Sequence, residues 1–165
     1  MDAYTAVVTK KDLRAYTNEP VGEEPLRRVL QAGRMAGSAK ATEPCRFVVV
    51  TDADTKTRLA ATGAFAGWID TAPAVVAVVL QEGANPFDAG RAAQNMMIVA
   101  HAEGLGTCPV TVGDGALEVL GVPAGHRVAI VIALGHPTAD SDKMARLMRR
   151  RQPLDEYVHR DGWRQ

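Results

Sequence analysis

The chain of 165 residues carries 19 basic and 19 acidic side chains, a formal net charge of zero, with 47% hydrophobic and 23% charged residues. This composition excludes disorder, collagen and a disulfide scaffold, and it suits a single domain, 1–165. Zero net charge removes any whole-molecule pull toward nucleic acid or an anionic membrane, so neither is expected as a partner.

The N-terminus, Met1-Asp2-Ala3-Tyr4, has no basic region followed by an apolar stretch. Cys45 and Cys108 show neither CxxC spacing nor a metal-type cluster with His, as in a reduced, cytoplasmic protein. Residues 3–8 predict a helix leading to the basic pair Lys10-Lys11. Glu23-Glu24-Pro25 opens a second helix, with Leu26, Val29, Leu30 and Gly33 on one face, running to about Met35. Three short runs rich in β-branched residues predict buried strands at 46–51, 74–80 and 127–134. With no polar face, such strands need helical cover on both sides. Between the first two, 54–62 predicts a short helix capped by Asp54. Residues 88–103 predict a central helix, capped by Asp88 and apolar nearly all round in its second half. Gly104 then ends it with φ > 0. Gly113-Asp114 introduces a further helix through Leu120. The longest apolar run, 72–80, is less than half a membrane span. After Pro137 come a polar loop, a basic stretch at 143–151, and Tyr157, Val158 and Trp163. Aromatic residues at a free end predict that the tail, about 149–165, docks on something, a second subunit being one option.

The residues that carry chemistry are few. There is no GxSxG, and His101, His126, His136 and His159 have no metal-ligand spacing, so they read as structural or solvated. No catalytic side chain and no metal ligand is predicted. Gly104-Leu105-Gly106 follows a helix and lacks a third glycine, so it fails as a dinucleotide fingerprint. Two basic clusters remain, Lys10, Lys11 and Arg14 near one end, and Arg146, Arg149, Arg150 and Arg151 near the other. Either they converge on one anionic ligand such as a phosphate, or both are solvated helix faces. The pattern alone leaves both open.

Several blocks, in order, resemble the nitroreductase family of flavoproteins. Lys10-Lys11-Asp12-Leu13-Arg14-Ala15-Tyr16 with Glu19-Pro20-Val21 resembles its opening. The stretch from Gly37-Ser38-Ala39-Lys40-Ala41 through Pro44-Cys45-Arg46-Phe47 resembles its PSAxNxQPWxFVVV block. Trp68 with Ala72-Pro73, Gln94-Asn95-Met96-Met97, Gly104-Leu105-Gly106-Thr107-Cys108, Leu134-Gly135-His136-Pro137 and Arg151-Gln152-Pro153-Leu154 continue the match over nearly the whole chain.

The resemblance implies an α+β, nitroreductase-like sandwich with a central, mainly antiparallel sheet flanked by helices. It implies a homodimer with FMN at the interface, reduced by NAD(P)H and reoxidised by a nitroaromatic, quinone or similar acceptor. Lys10 and Lys11 would then meet the FMN phosphate, with Arg151 adding a second contact from the tail, and Asp12 and Arg149 would belong to the same cofactor-binding set. Arg14 would stand at the flavin pyrimidine edge, where the reduced ring gathers negative charge. Ser38, Ala39, Lys40 and Ala41 would meet the flavin edge. Pro109, Val110, Thr111 and Val112 would set backbone against the ring, with the Thr111 N–H as donor to its reactive nitrogen. Asp12 replaces a phosphate-binding serine, which predicts that it turns away to pair with Lys10 or Arg14. Ala41 replaces an asparagine, and Glu43 and Cys45 replace Gln and Trp. Short spacing from Trp68 to Pro73 and from Leu80 to Asp88 predicts a small lid. A member of the same fold that binds flavin or another ligand without turnover is the alternative, and an unrelated α/β binding domain the third.

Overall fold

Strand β2 (Ala74–Gln81) is buried at every position except its last, and the architecture follows from that. The structure, a computed structural model, describes residues 1–141 and 151–163. β2 pairs antiparallel with β1 (Cys45–Val50) on one side and with β4 (His126–Gly135) on the other. β4 in turn pairs antiparallel with β3 (Gly106–Val110), giving the order β1-β2-β4-β3. The alternating pleat sends Val76, Val78, Leu80, Ile132 and Leu134 to one face, under helices α2 (Glu23–Arg34) and α4 (Pro86–Ala102). It sends Val75, Ala77, Val131 and Ala133 to the other face. There α3 (Ala53–Ala61), the 3₁₀ turn Ile69–Thr71 and α5 (Ala116–Val119) cover them. The expected two-sided cover is present, and so is the antiparallel α+β sandwich.

α1 (Ala3–Thr9) is capped by the Asp2 carboxylate, which accepts from the Thr5 N–H. α2 and α4 approach closely where Gly33 faces Met96: a Cβ at Gly33 would lie 2.1 Å from Met96 Cε. Gly104 adopts φ +81 after α4, as its helix-stop reading requires.

Three expectations need correction. Asp54 does not cap α3; Asp52 does, accepting from the Thr55 N–H at 2.8 Å. Asp88 does not cap α4, which starts at Pro86 behind an Asn85 cap; Asp88 is buried inside its first turn. Residues 106–110 form a fourth strand beyond the three predicted, unmarked in the sequence because glycine and proline are poor strand formers. β3 tolerates Pro109 because it is an edge strand of the sheet. In the tail, the single helical turn Leu154–Tyr157 leaves Leu154, Tyr157, Val158 and Trp163 exposed. Arg146, Arg149 and Arg150 lie outside the described residues.

Candidate functional site

The basic segment after α1 lies along the free edge of β3. Asp12 forms a parallel bridge with Thr107, and the Leu13 N–H donates to the Thr107 carbonyl at 2.9 Å. Extended backbone alternates its side chains, so Leu13 is buried while Asp12 and Arg14 point outward. Lys10 is nearly buried, at 8% side-chain exposure, and its Nζ donates to the Asp12 carboxylate and to Met97 Sδ at 3.4 Å. A buried ammonium needs such a partner. Asp12 therefore pairs with Lys10, one of the two partners expected for it, and Lys10 offsets its negative charge.

The Arg14 guanidinium lies over the Trp68 ring, 5.5 Å from its centroid. Beside it is the buried Cys108 thiol, whose pKa burial pushes up while Arg14 works against that shift. Tyr16 donates its hydroxyl to the Leu13 carbonyl, and burial drives its pKa well above the usual phenol range.

Beyond β3, Thr111 is exposed and Val112 half-buried, whereas Pro109 and Val110 sit within the strand, Val110 in the core. The Gly113 N–H donates to the Thr62 carbonyl at 3.0 Å. A Cβ at Gly113 would lie 2.3 Å from that carbonyl oxygen, and one at Gly63 would lie 2.8 Å from the Thr111 oxygen. Two glycines thus let segment 111–113 and segment 62–68, which carries Trp68, touch backbone to backbone. Arg14 and Thr111 are linked through this one pair of loops.

Residues 38–41 lie elsewhere. The Ala39 N–H donates to the buried Asp88 carboxylate at 3.2 Å, and the Glu43 N–H to Ser38 Oγ at 2.9 Å. Lys40, Ala41 and Glu43 hold φ of +53, +54 and +48, a left-handed region that costs an L-residue about 1–2 kcal/mol. Along α4, Asp88 touches this loop and Met97 touches Lys10. At 1.5 Å per residue those two points are about 13 Å apart. Arg151 is exposed. Among the described residues, then, the structure gathers Lys10, Asp12, Arg14 and the Thr111 loop around β3. Residues 38–41 are held instead against Asp88, at the start of α4.

Sequence reading missed two neighbours of this site. Trp68 served there only as a marker before β2; its ring contact with Arg14 has no signal in spacing. His101 was read as structural. Its Nε2 lies 2.8 Å from Thr9 Oγ1, which spends its own proton on the Thr5 carbonyl, so His101 donates. Burial, then Lys10 and Lys11, push the His101 pKa down. No metal-type cluster of His, Cys, Asp and Glu occurs among the described residues.

A separate groove of about 510 Å³ opens beside β1 and α2. Arg27, Arg34 and Arg46 line it together with Glu43, Asp88 and the apolar residues Leu30, Phe47 and Val49, so cations outnumber carboxylates.

The sequence profile of the nitroreductase family matches residues 7–81 and 61–136. The chain belongs to the nitroreductase family. A protein of Desulfovibrio desulfuricans described as a nitroreductase, solved in complex with FMN, is 29% identical with a TM-score of 0.84, over 99% of each chain. A protein of Archaeoglobus fulgidus described as an NADH dehydrogenase/NAD(P)H nitroreductase is 24% identical over 95% of this chain and 96% of its own. An FMN reductase [NAD(P)H] of Bacillus subtilis is 26% identical over 83% of this chain and 66% of its own. The sandwich described above is thus the nitroreductase fold. No helix among the described residues is long and apolar enough to cross a membrane.

Proposed function

We propose that this nitroreductase-family chain is an FMN-dependent oxidoreductase that passes a hydride from NAD(P)H to a nitroaromatic, quinone or similar acceptor. The observation that carries the reading is the linked placement of Arg14 and Thr111 around the edge of β3, one offering a cation and the other a strand-end N–H. The donor set suits a ligand with a phosphate at one end and a flat, hydrogen-bonding ring at the other. FMN, when bound, accepts the hydride and hands it on. Lys11, with Arg149 and Arg151 from the tail, holds the phosphate. Lys10 keeps Asp12 neutralised, so that its carboxylate does not repel the phosphate. Arg14 stabilises negative charge as it develops on the ring, and the Thr111 N–H fixes the ring for transfer.

The working unit in this reading is a homodimer. Residues 38–41, set about 13 Å away along α4, reach the ring across a two-fold interface. The tail is the second support. It exposes Leu154, Tyr157 and Val158 around Asp155 and Glu156, a match for the apolar residues and three arginines of the groove beside β1. A second copy's tail seated there leaves the single domain with a docked arm. The reading places the protein in the cytoplasm, in keeping with its two free cysteines. Ala41 offers only a methyl group where an amide would grip the ring, and this favours the second reading, a flavin-binding or flavin-free ligand-binding member of the fold without turnover.

FMN titration by fluorescence quenching tests the site. A hydrogen bond to a charged group contributes about 1.5–3 kcal/mol, so Arg14→Ala and Arg151→Ala each weaken binding about ten- to hundredfold. Bleaching of the bound flavin by NADPH separates enzyme from binder. Wild-type protein that takes up no FMN at micromolar concentration refutes the flavin site. Deletion of residues 153–165 is expected to give monomer or aggregate, and a soluble dimer by light scattering would refute the tail's role.

A further inference from the structure

We propose that Trp68 is a positioning residue for this reaction: its indole face holds the Arg14 guanidinium so that the cation's in-plane N–H donors stay available to the ligand. The inference rests on the flavin reading given above and assigns the residue that makes Arg14 effective in it.

A guanidinium carries five donors in its plane and can be gripped in two ways. A carboxylate grips the donors themselves and cancels the charge. An aromatic ring grips the face and does neither. Among the described residues, no carboxylate lies within ion-pairing distance of Arg14. The indole lies 5.5 Å away, and the Cys108 thiol engages one in-plane N–H, leaving the others to the ligand. Backbone pairing along β3 fixes only the Arg14 main chain, through the neighbouring Leu13 N–H, and leaves a long side chain to be ordered.

Trp68 is suited to order it because it is itself held. Its Nε1 donates to the Phe65 carbonyl at 2.9 Å, and its ring packs against the core that contains Leu59, Ile69 and Val75. The same loop is bonded to segment 111–113 through the Gly113 N–H and the Thr62 carbonyl. Arg14 and Thr111 are thereby set relative to one another by a single rigid support. A cation fixed at the ring edge favours the reduced, more negative flavin over the oxidised one, so loosening Arg14 lowers the reduction potential.

The experiment compares FMN affinity and two-electron potential of the FMN-loaded protein for wild type, Arg14→Ala, Trp68→Leu and Trp68→Phe. A cation–π contact at this exposure corresponds to about two- to fivefold in relative affinity for the reduced flavin. At about 30 mV per tenfold, Trp68→Leu should lower the potential by about 10–20 mV. Trp68→Phe keeps an aromatic face but loses the Nε1 bond to Phe65, and it should restore most of the shift. If Trp68→Leu fails to fold, fluorinated tryptophans at position 68 in a Trp163→Phe background replace it. Fluorine drains the ring face, and the potential should fall stepwise with fluorine count.

A potential lowered by Arg14→Ala but untouched by Trp68→Leu, by Trp68→Phe and by fluorination overturns this inference alone. So does Trp68→Phe falling as far as Trp68→Leu, because the loop bond would then be the cause. Wild type that binds no FMN, or a potential indifferent to Arg14→Ala, overturns the flavin reading and this inference with it.

Discussion

Gly113→Ala tests the contact between the two loops that frame the site. The added methyl carbon would stand 2.3 Å from the Thr62 carbonyl oxygen, about 1 Å inside van der Waals contact. That oxygen belongs to backbone and already accepts the Gly113 N–H at 3.0 Å, so no side chain can swing aside. Relief requires the two loops to separate. Overpacking of this kind costs about 1–3 kcal/mol, and straining the hydrogen bond adds about 0.5–1.5 kcal/mol. For a domain of this size the combined loss lowers Tm by about 5–15 °C. Moving segment 111–113 also displaces the proposed Thr111 donor, so FMN affinity should fall with it. Gly67→Ala is the matched control, since a Cβ there meets no atom within 4 Å and Gly67 does not hold a positive φ. It should leave Tm unchanged or slightly raised, because alanine restricts the unfolded chain. Scanning calorimetry of both variants decides the matter: equal melting temperatures for Gly113→Ala and Gly67→Ala would refute the reasoning.

Three other outcomes are expected. Asp88→Ala removes the acceptor of the Ala39 N–H and should cost about 1–3 kcal/mol in urea unfolding, with faster amide exchange through residues 39–43. Ala41→Gly, at a left-handed position, should be neutral or stabilising by up to about 1 kcal/mol, where the same change inside a helix costs that much. His101 has a folded-state pKa below its usual 6.5 because of burial and then Lys10 and Lys11. Its unfolded form therefore takes up a proton first as pH falls, and stability drops below about pH 6.5. His101→Gln should flatten that part of the Tm-against-pH curve, and an unchanged slope would remove His101 as its source.

Most of the fold was legible because its signals are local. Runs of valine and alanine in β2, the nearly all-apolar α4, and the glycine stop at Gly104 each announce themselves within a few residues. β3 was not legible, because Gly106 and Pro109 read as loop and only the vacant side of β4 makes them a strand. The caps Asp52 and Asn85 lie two or three positions before the acidic residues Asp54 and Asp88 that the pattern favours, since residue type alone does not say which side chain turns back onto the first-turn N–H groups. In the site, the cationic residues Lys10, Lys11 and Arg14 could be picked out by composition, and the Asp12–Lys10 pair by charge logic. The Arg14–Trp68 contact and the glycine-mediated loop junction depend on how distant segments fold together, and no spacing in the chain encodes them.

The sheet order also sets a timetable for synthesis. Of the described strands β4 is the last to leave the ribosome, yet it occupies the middle of the sheet, between β2 and β3. Until residues 126–135 emerge, β2 and β3 have no common neighbour, and the longest buried strand of the molecule presents an unpaired apolar edge. A nascent chain that has emerged only as far as Gly125 holds α4 and three of the four described strands without the one that joins β2 to β3, the condition that invites pairing with other chains. Completion of the fold is therefore a late insertion rather than a growth outward from the N-terminus.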